Sequence, residues 1–367
     1  MKIAFVLDDT LDKPDGVQQY VKTVGAYLSA KGHEVHYITG ESHLAQQRYV
    51  HPMSKNVKVR FNGNVLSVPL PASRRKVRRL LMEEKYDVLH IQMPYSPLMA
   101  HRVVAEAPPA TAIVGTFHIL PFGKLSSVAT RALGLCLRRS LLKIHETCAV
   151  SEPASEFARQ SFGIRPVVIP NAVDLAYMRS IKTKPQTKIV FLGRLVPRKG
   201  CLEFLRAVSL LPPDILDAYE FIVAGKGPEL NRLRQYAAAK KLNITFLGFV
   251  EEAEKPVLFA SAKLAVFPSV SGESFGIVLI EAMASGSGVV LGGNNPGYAS
   301  VLSDTPESII DPHDPRLFSR SIERFLRNAT LFQEVHTKQQ YTVKRFSIEE
   351  VGPTIEAMYG RAIAKVT

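Results

Sequence analysis

The chain has 367 residues, which at roughly 150 per domain predicts two domains, each long enough to bury a sizeable core. Its composition, 46% hydrophobic and 22% charged with 23 Gly and 24 Pro and no low-complexity tract or internal repeat, excludes disorder, collagen and solenoids. The net charge of +13 is uneven: residues 1–172 carry 22 Lys+Arg against 13 Asp+Glu, or +9, and residues 173–367 carry 24 against 20, or +4, which predicts an anionic partner for the first half, a membrane surface or a polyanion.

Met1-Lys2 leads directly into a short apolar segment, and no run approaches the roughly 18 apolar residues of a membrane span. Neither a secretory signal nor a spanning helix is expected, and the chain reads as cytoplasmic. Lys2–Leu7 is predicted as a strand, Val17, Val21, Val24 and Leu28 recur at helical spacing across Val17–Lys31, and His33–Thr39 returns to strand chemistry. This is a β-α-β unit. Further strands at Asp87–Gln92, Thr111–Phe117, Cys148–Val150 and Val167–Ile169, with helical stretches between, predict a parallel sheet covered on both faces, a Rossmann-like domain. Periodicity fades over Asp174–Thr187, which gathers Lys182, Lys184 and Pro185, so a boundary is expected near 185.

Alternation then restarts with strands at Lys188–Gly193, Glu220–Ala224, Ile244–Leu247, Lys263–Phe267 and Gly288–Leu291 and helices at Cys201–Leu211, Glu229–Leu242 and Phe275–Ala284. The expected division is 1–185, 186–345 and a helical segment 346–367 that returns to the first domain. Two open α/β sheets in one chain predict a ligand cleft between the carboxyl ends of their strands. Cys136, Cys148 and Cys201 have no metal-site spacing and read as buried small hydrophobes in a reducing compartment.

Two segments carry chemistry. In Ser269–Met283, Gly272 and Gly276 allow close backbone approach, Ser271 or Ser274 can cap, and the free N–H groups of the new helix form an anion site suited to a phosphate. Glu273 stands beside that electropositive terminus and Glu281 lies two helical turns on, an arrangement suited to a ligand with sugar hydroxyls attached to its phosphates. The plainer alternatives are a first-turn acid complementing the dipole and a solvated face residue. In the Phe191–Gly200 loop, Arg194 and Lys199 can clamp a diphosphate in place of a divalent metal, and the chain contains no Asp-x-Asp pair.

At these motifs the sequence resembles the retaining glycosyltransferases of family 4, of GT-B fold with two Rossmann-like domains and a central interdomain cleft, and among them the bacterial phosphatidyl-myo-inositol mannosyltransferases. The similarity runs the full length through Pro14–Gln18, Asn62-Gly63, Asp87–Ile91, Thr116–His118, Ile169–Asp174, Gly225–Pro228 and Gly272–Ala284. It implies that Arg194 and Lys199 neutralise the leaving diphosphate with the amides near Ser274, Phe275, Gly276 and Ile277, and that Gly16 approaches that diphosphate from the first domain. Glu273 would hold the transferred sugar, Glu281 the ribose, and His118 would sit against the sugar and help place the acceptor. Without the resemblance, His118 reads as a satisfied histidine at a strand end. The segment Gly248–Lys255, with Val250 among its nucleotide-binding residues, occupies the place that lines the guanine pocket of these relatives, and an acid together with Lys255 matches their pattern and favours GDP-mannose over a UDP-hexose as donor; the plainer alternative for Glu251–Lys255 is a solvated acidic helix start. No cofactor or resident metal is implied.

Asn62 and Gly63 match the acceptor side. Asp9 stands where the relatives carry tyrosine, and Asp15-Gly16 where they carry Gly-Gly, so the acceptor lipid can be phosphatidylinositol or another lipid such as a diacylglycerol-based one. Ser73–Met82 packs Arg74, Arg75, Lys76, Arg78 and Arg79 around Val77, Leu80 and Leu81, predicting a helix capped by Ser73 that presents an apolar stripe to an anionic membrane, with Arg131, Arg138, Arg139 and Lys143 extending the surface. The expected activity is transfer of a hexose to a membrane lipid by a peripheral protein on the inner face of the cell membrane. The alternatives are a UDP-hexose-dependent enzyme acting on a diacylglycerol lipid or an envelope polysaccharide precursor, and a non-catalytic membrane-surface protein. A nicotinamide dehydrogenase is disfavoured because the first turn, Asp8–Gly16, lacks G-x-G-x-x-G and is acidic. Nucleic-acid binding is disfavoured by the lack of a recognised motif and of Trp.

Overall fold

The structure is a computed structural model that describes residues 1–13, 15–43, 49–61, 64–118, 124–180 and 187–367, with the backbone alone for 57–61, 64–69 and 124–132. Contacts divide the chain into a first unit, Met1–Ala172 with Ile348–Thr367, and a second, Val173–Ser347, whereas the sequence reading sets the bounds near 185 and 345. Asn62 and Gly63 lie outside the described residues, as does much of the expected linker (residues 181–186).

The first unit runs β1 (Lys2–Leu7), α1 (Gly16–Ala30), β2 (Glu34–Thr39), β3 (Val50–Pro52), β4 (Asn56–Phe61), β5 (Asn64–Pro69), α2 (Arg74–Glu84), β6 (Val88–Gln92), α3 (Met99–Glu106), β7 (Ala112–Phe117), α4 (Lys124–Leu141), β8 (Glu146–Ala149), α5 (Glu152–Phe162) and β9 (Val167–Val168). Seven strands pair in parallel in the order β3-β2-β1-β6-β7-β8-β9. Both faces of β1 are covered, which is why it is apolar at nearly every position: Phe5 and Leu7 join one core with Val21, Val24 and Leu28, and Ala4 and Val6 join another with Leu81, Leu89 and Val103. The antiparallel pair β4–β5 stands apart from the sheet and has no counterpart in the sequence reading.

The second unit runs α6 (Leu175–Met178), β10 (Lys188–Leu192), α7 (Cys201–Val208), α8 (Pro213–Ala218), β11 (Glu220–Ala224), α9 (Leu230–Ala239), β12 (Ile244–Gly248), α10 (Lys255–Ala260), β13 (Ala262–Phe267), α11 (Ile277–Ala284), β14 (Val289–Gly293), α12 (Pro296–Val301), β15 (Ile309–Ile310), α13 (Pro315–Arg327) and α14 (Ala329–Thr342). Its six strands are again parallel, in the order β12-β11-β10-β13-β14-β15. Strand order reverses between β10 and β13, and open α/β sheets bind ligands outside the carboxyl ends of the strands at such a switch point. The loops that leave β10 and β13 are the two segments singled out above.

The chain closes with α15 (Ile348–Ile363), which belongs to the first unit. Ile355, Met358 and Tyr359 are fully buried there, the Tyr359 hydroxyl lies 2.7 Å from His90 Nδ1, and Glu356 accepts from the Tyr27 hydroxyl at 3.0 Å. Cys148 and Cys201 are buried as expected, but Cys136 is exposed because it lies on the outward side of α4.

Candidate active site

Glycine geometry brings the β10 and β13 loops together. Gly200 ends the Pro197–Lys199 turn with φ of 72°, and a Cβ there would meet the Pro268 carbonyl oxygen at 1.9 Å, so only glycine lets the Arg198-Lys199 turn lie against the strand exit of β13. Val270 N then donates to the Arg198 carbonyl at 2.9 Å, joining the two loops.

The result is a charge cluster on one carboxylate oxygen. Glu273 Oε1 accepts from Lys199 Nζ at 2.7 Å, Arg198 Nη1 at 2.8 Å and Ser269 Oγ at 3.0 Å. Burial alone would raise the Glu273 carboxyl, but Lys199, Arg198 and the hydrogen bonds outweigh it and leave the group below the ordinary carboxylate value. Burial lowers Lys199 from the ordinary lysine value; Glu273 opposes that, while Arg198 and Arg194 reinforce it. Arg194 is itself exposed. Glu273 is therefore no isolated first-turn acid. Arg198, which the sequence reading passed over in favour of Arg194, is its second cation; the only signal was its place in the same basic loop.

Gly276 is the N-cap of α11 at φ of 111°, so neither Ser271 nor Ser274 occupies the cap position, and a Cβ at Gly276 would strike the Tyr298 ring at 2.5 Å. The first turn of α11 contains no acidic residue, and Phe275 is buried edge-on to Phe346. Glu273, with its negative charge already matched by two cations, leaves the amides of Gly276 and Ile277 positive at the switch point.

Further along the same helix Glu281 is buried, not solvated, because α11 is covered on nearly every side. Lys255 Nζ lies 3.4 Å from Glu281 and 2.7 Å from Glu252, itself held in a turn by the Glu251–Glu254 capping box. Burial raises Glu281, partly opposed by Lys255; Lys255 in turn rises despite its own burial because two carboxylates face it. Residues 26 apart in sequence thus form one pair, and Val250 stands half-buried in the loop that precedes it.

In the first unit, His118 follows β7, is buried, and its Nε2 lies 2.7 Å from Gln92 Oε1. An amide oxygen only accepts, so His118 donates from Nε2, and burial pushes its pKa down to about 3. Gly16 is the exposed first residue of α1. Asp9 is tied to Lys13 at 3.0 Å. On α2, Arg74, Arg75, Lys76, Arg78 and Arg79 are all exposed, whereas Val77, Leu80 and Leu81 are buried in the core. That corrects the expected membrane-facing apolar stripe: the stripe secures the helix to the sheet and only its basic side faces out. Ser73 holds the N-cap position without a side-chain bond, and Arg74 and Arg78 both pair with Glu106 at 2.7 Å. Arg138, Arg139 and Lys143 are exposed near Leu135 and Leu142, while the Arg131 side chain lies outside the described residues.

A phosphatidyl-myo-inositol mannosyltransferase of Mycolicibacterium smegmatis is 34% identical over 334 residues, covering 86% of this chain and 81% of its own. This chain belongs to the family 4 glycosyltransferases. The Glycosyltransferase Family 4 model matches residues 14–177 and the Glycosyl transferases group 1 model matches residues 177–343. The protein is accordingly a glycosyltransferase. A phosphatidyl-myo-inositol mannosyltransferase of Mycobacterium leprae is 30% identical over 98% of this chain and 96% of its own. The crystal structure of Anabaena HepE in complex with UDP superposes with a TM-score of 0.76 over 98% of this chain and 100% of its own at 19% identity, in keeping with a two-domain GT-B fold.

Proposed function

We propose that this glycosyltransferase moves mannose, with retention at the anomeric carbon, from GDP-mannose to a phosphatidylinositol-type lipid. The observation that carries the reading is Glu273 held on Lys199 and Arg198 beside the open N-terminus of α11. An arriving diphosphate competes for the same two cations, and the carboxylate oxygen they release becomes an acceptor for sugar hydroxyls. As the bond between the anomeric carbon and the phosphate oxygen breaks, charge accumulates on the diphosphate, where Lys199, Arg198, Arg194 and the amides of Gly276 and Ile277 stabilise it more than in the ground state. The acceptor hydroxyl oxygen bonds to the anomeric carbon from the same face, and its proton passes to the leaving phosphate. Fixed positive groups supply the counter-charge, so no metal or cofactor is assigned to the donor site.

Lys255, Glu281, Val250, Ser274 and Phe275 are assigned to the nucleotide, Gly16 and His118 to the donor sugar and diphosphate, and Asp9, Asn62 and Gly63 to the acceptor. The donor and acceptor follow the names of the relatives described above. No helix among the described residues is long and apolar enough to cross a membrane, and the basic side of α2 suits peripheral attachment to an anionic inner leaflet. The test incubates the protein with labelled GDP-mannose, UDP-glucose or UDP-galactose and vesicles of phosphatidylinositol or diacylglycerol, with a chelator present. Mannosylated phosphatidylinositol is expected, lost in Glu273→Gln with vesicle binding intact. Product from a UDP-sugar alone overturns the donor, and activity that returns only with magnesium overturns the mechanism.

A further inference from the structure

We propose that His36, His51 and Glu84 form a binding site for one transition-metal dication of the zinc type in the first unit. His36 Nδ1, His51 Nε2 and a Glu84 carboxylate oxygen all lie within 4.8 Å of one another. His36 Nδ1 is 2.9 Å from His51 Nε2 and 3.9 Å from Glu84 Oε2. Ligand atoms around a tetrahedral zinc with bonds of about 2.0–2.1 Å sit about 3.3 Å apart, so the two imidazole nitrogens must part slightly and Glu84 must swing toward them by a side-chain rotation. Two imidazoles and a carboxylate are a donor set for zinc and its neighbours, not for calcium or magnesium.

The tautomer is already set for this. His36 Nε2 lies 2.9 Å from Glu34 Oε1, and a carboxylate only accepts, so Nε2 carries the proton and Nδ1 presents its lone pair inward. A carboxylate behind a histidine whose other nitrogen is free is the usual outer support of a metal-ligating imidazole. That single lone pair is oversubscribed: His51 Nε2 at 2.9 Å and the Tyr86 hydroxyl at 3.0 Å both face it, and only one can donate. A cation between the two rings takes the lone pairs of both and displaces the Tyr86 hydroxyl from Nδ1. Against it stands Lys2, whose ammonium pairs with Glu84 and, at 3.0 Å, with Glu34. Metal binding needs Lys2 to release Glu84 while keeping Glu34, so the affinity is moderate and Lys2 sets it.

No compact motif announces these residues. They converge because β3 pairs with β2, placing His51 opposite Ile38, and because α2 ends over that edge. The ion would tie a three-residue edge strand and the last turn of the basic helix to the sheet, a structural role separate from the donor chemistry of the second unit.

The experiment uses the untagged full chain, stripped with a chelator that is then removed, and titrated with Co²⁺ followed by visible absorption and by displacement with Zn²⁺. One equivalent with a four-coordinate cobalt spectrum is expected, together with a rise in Tm on adding Zn²⁺. His51→Gln and Glu84→Gln should each weaken Zn²⁺ at least about ten-fold and abolish the rise in Tm. Lys2→Met should tighten binding. Both Gln positions are half-buried, so if one variant fails to fold the other decides the matter. Absence of a one-to-one complex, or wild-type affinity retained in either Gln variant, overturns the site.

Discussion

Arg198 and Lys199 share one oxygen of Glu273, yet they differ in kind. Lys199 is a point charge that can follow a phosphate, whereas Arg198 offers a planar fork whose Nη1 is committed to the carboxylate. Removing a preorganised donor of this type costs about 10²–10³-fold in kcat. Lys199→Ala is expected to lose that much in kcat, with a rise in donor KM as well because the same cation meets the arriving diphosphate, and Arg198→Ala to fall in the same range. An unchanged rate in Arg198→Ala would remove it from the site. His118 makes a prediction of another sort. Its folded pKa of about 3, depressed by burial from the ordinary 6.5, means that between those pH values the unfolded chain binds a proton that the folded chain refuses. The neutral ring's contribution is complete above pH 6.5 and is lost as pH falls toward 3. Urea unfolding of His118→Gln at pH 7.5 and pH 4.5 should show a smaller loss of stability between the two than the wild type; an equal loss would contradict the burial described.

Among the elements, α2 shows where sequence periodicity reads correctly and where it misleads. Val77, Leu80 and Leu81 do share a face, as their spacing predicts, but that face is buried with Leu89 and Val103 and not free for lipid. Periodicity locates an apolar stripe; it does not say what covers it. Attachment through α2 is therefore expected to be electrostatic. Changing Arg74, Arg75, Lys76, Arg78 and Arg79 together to Gln should abolish sedimentation with phosphatidylserine vesicles, wild-type binding should weaken steeply with added salt, and neutral vesicles should bind little. Salt-insensitive binding would point to insertion of Met82 and its neighbours instead. The longer strands of both sheets were legible to within a residue or two because parallel strands buried on both faces are near-continuous apolar runs. The edge strands β3 and β15, two or three residues long, and the β4–β5 pair, where polar residues interrupt the apolar ones, carry no such run and were missed. The site was legible in part: Glu273, Lys199 and the glycines stand in recognisable loops, while the Lys255–Glu281 pair depends on helix packing that no local spacing reveals.

For the whole molecule, the last helix matters more than its position suggests. Ile355, Met358 and Tyr359 of α15 complete a core otherwise built largely by residues before Val173, and the Tyr359 hydroxyl is the partner of the fully buried His90 at Nδ1, Thr116 meeting its Nε2. Tyr359→Phe removes that hydroxyl and should cost about 1–3 kcal/mol in denaturant unfolding, the usual cost of leaving a buried polar atom unpaired. An insignificant change would show that His90 is satisfied otherwise.

The two places where the chain crosses between units are themselves paired: Val173 bridges Ser347 in parallel, with Val173 N donating to the Phe346 carbonyl at 2.9 Å. The second unit therefore has the anatomy of a guest inserted into a host, entering and leaving through one doorway. Excising residues 173–347 and rejoining Ala172 to Ile348 through about three small residues should yield a soluble, foldable host on its own. Such a doorway is the natural place to graft a different second unit while leaving intact the unit that carries the basic helix.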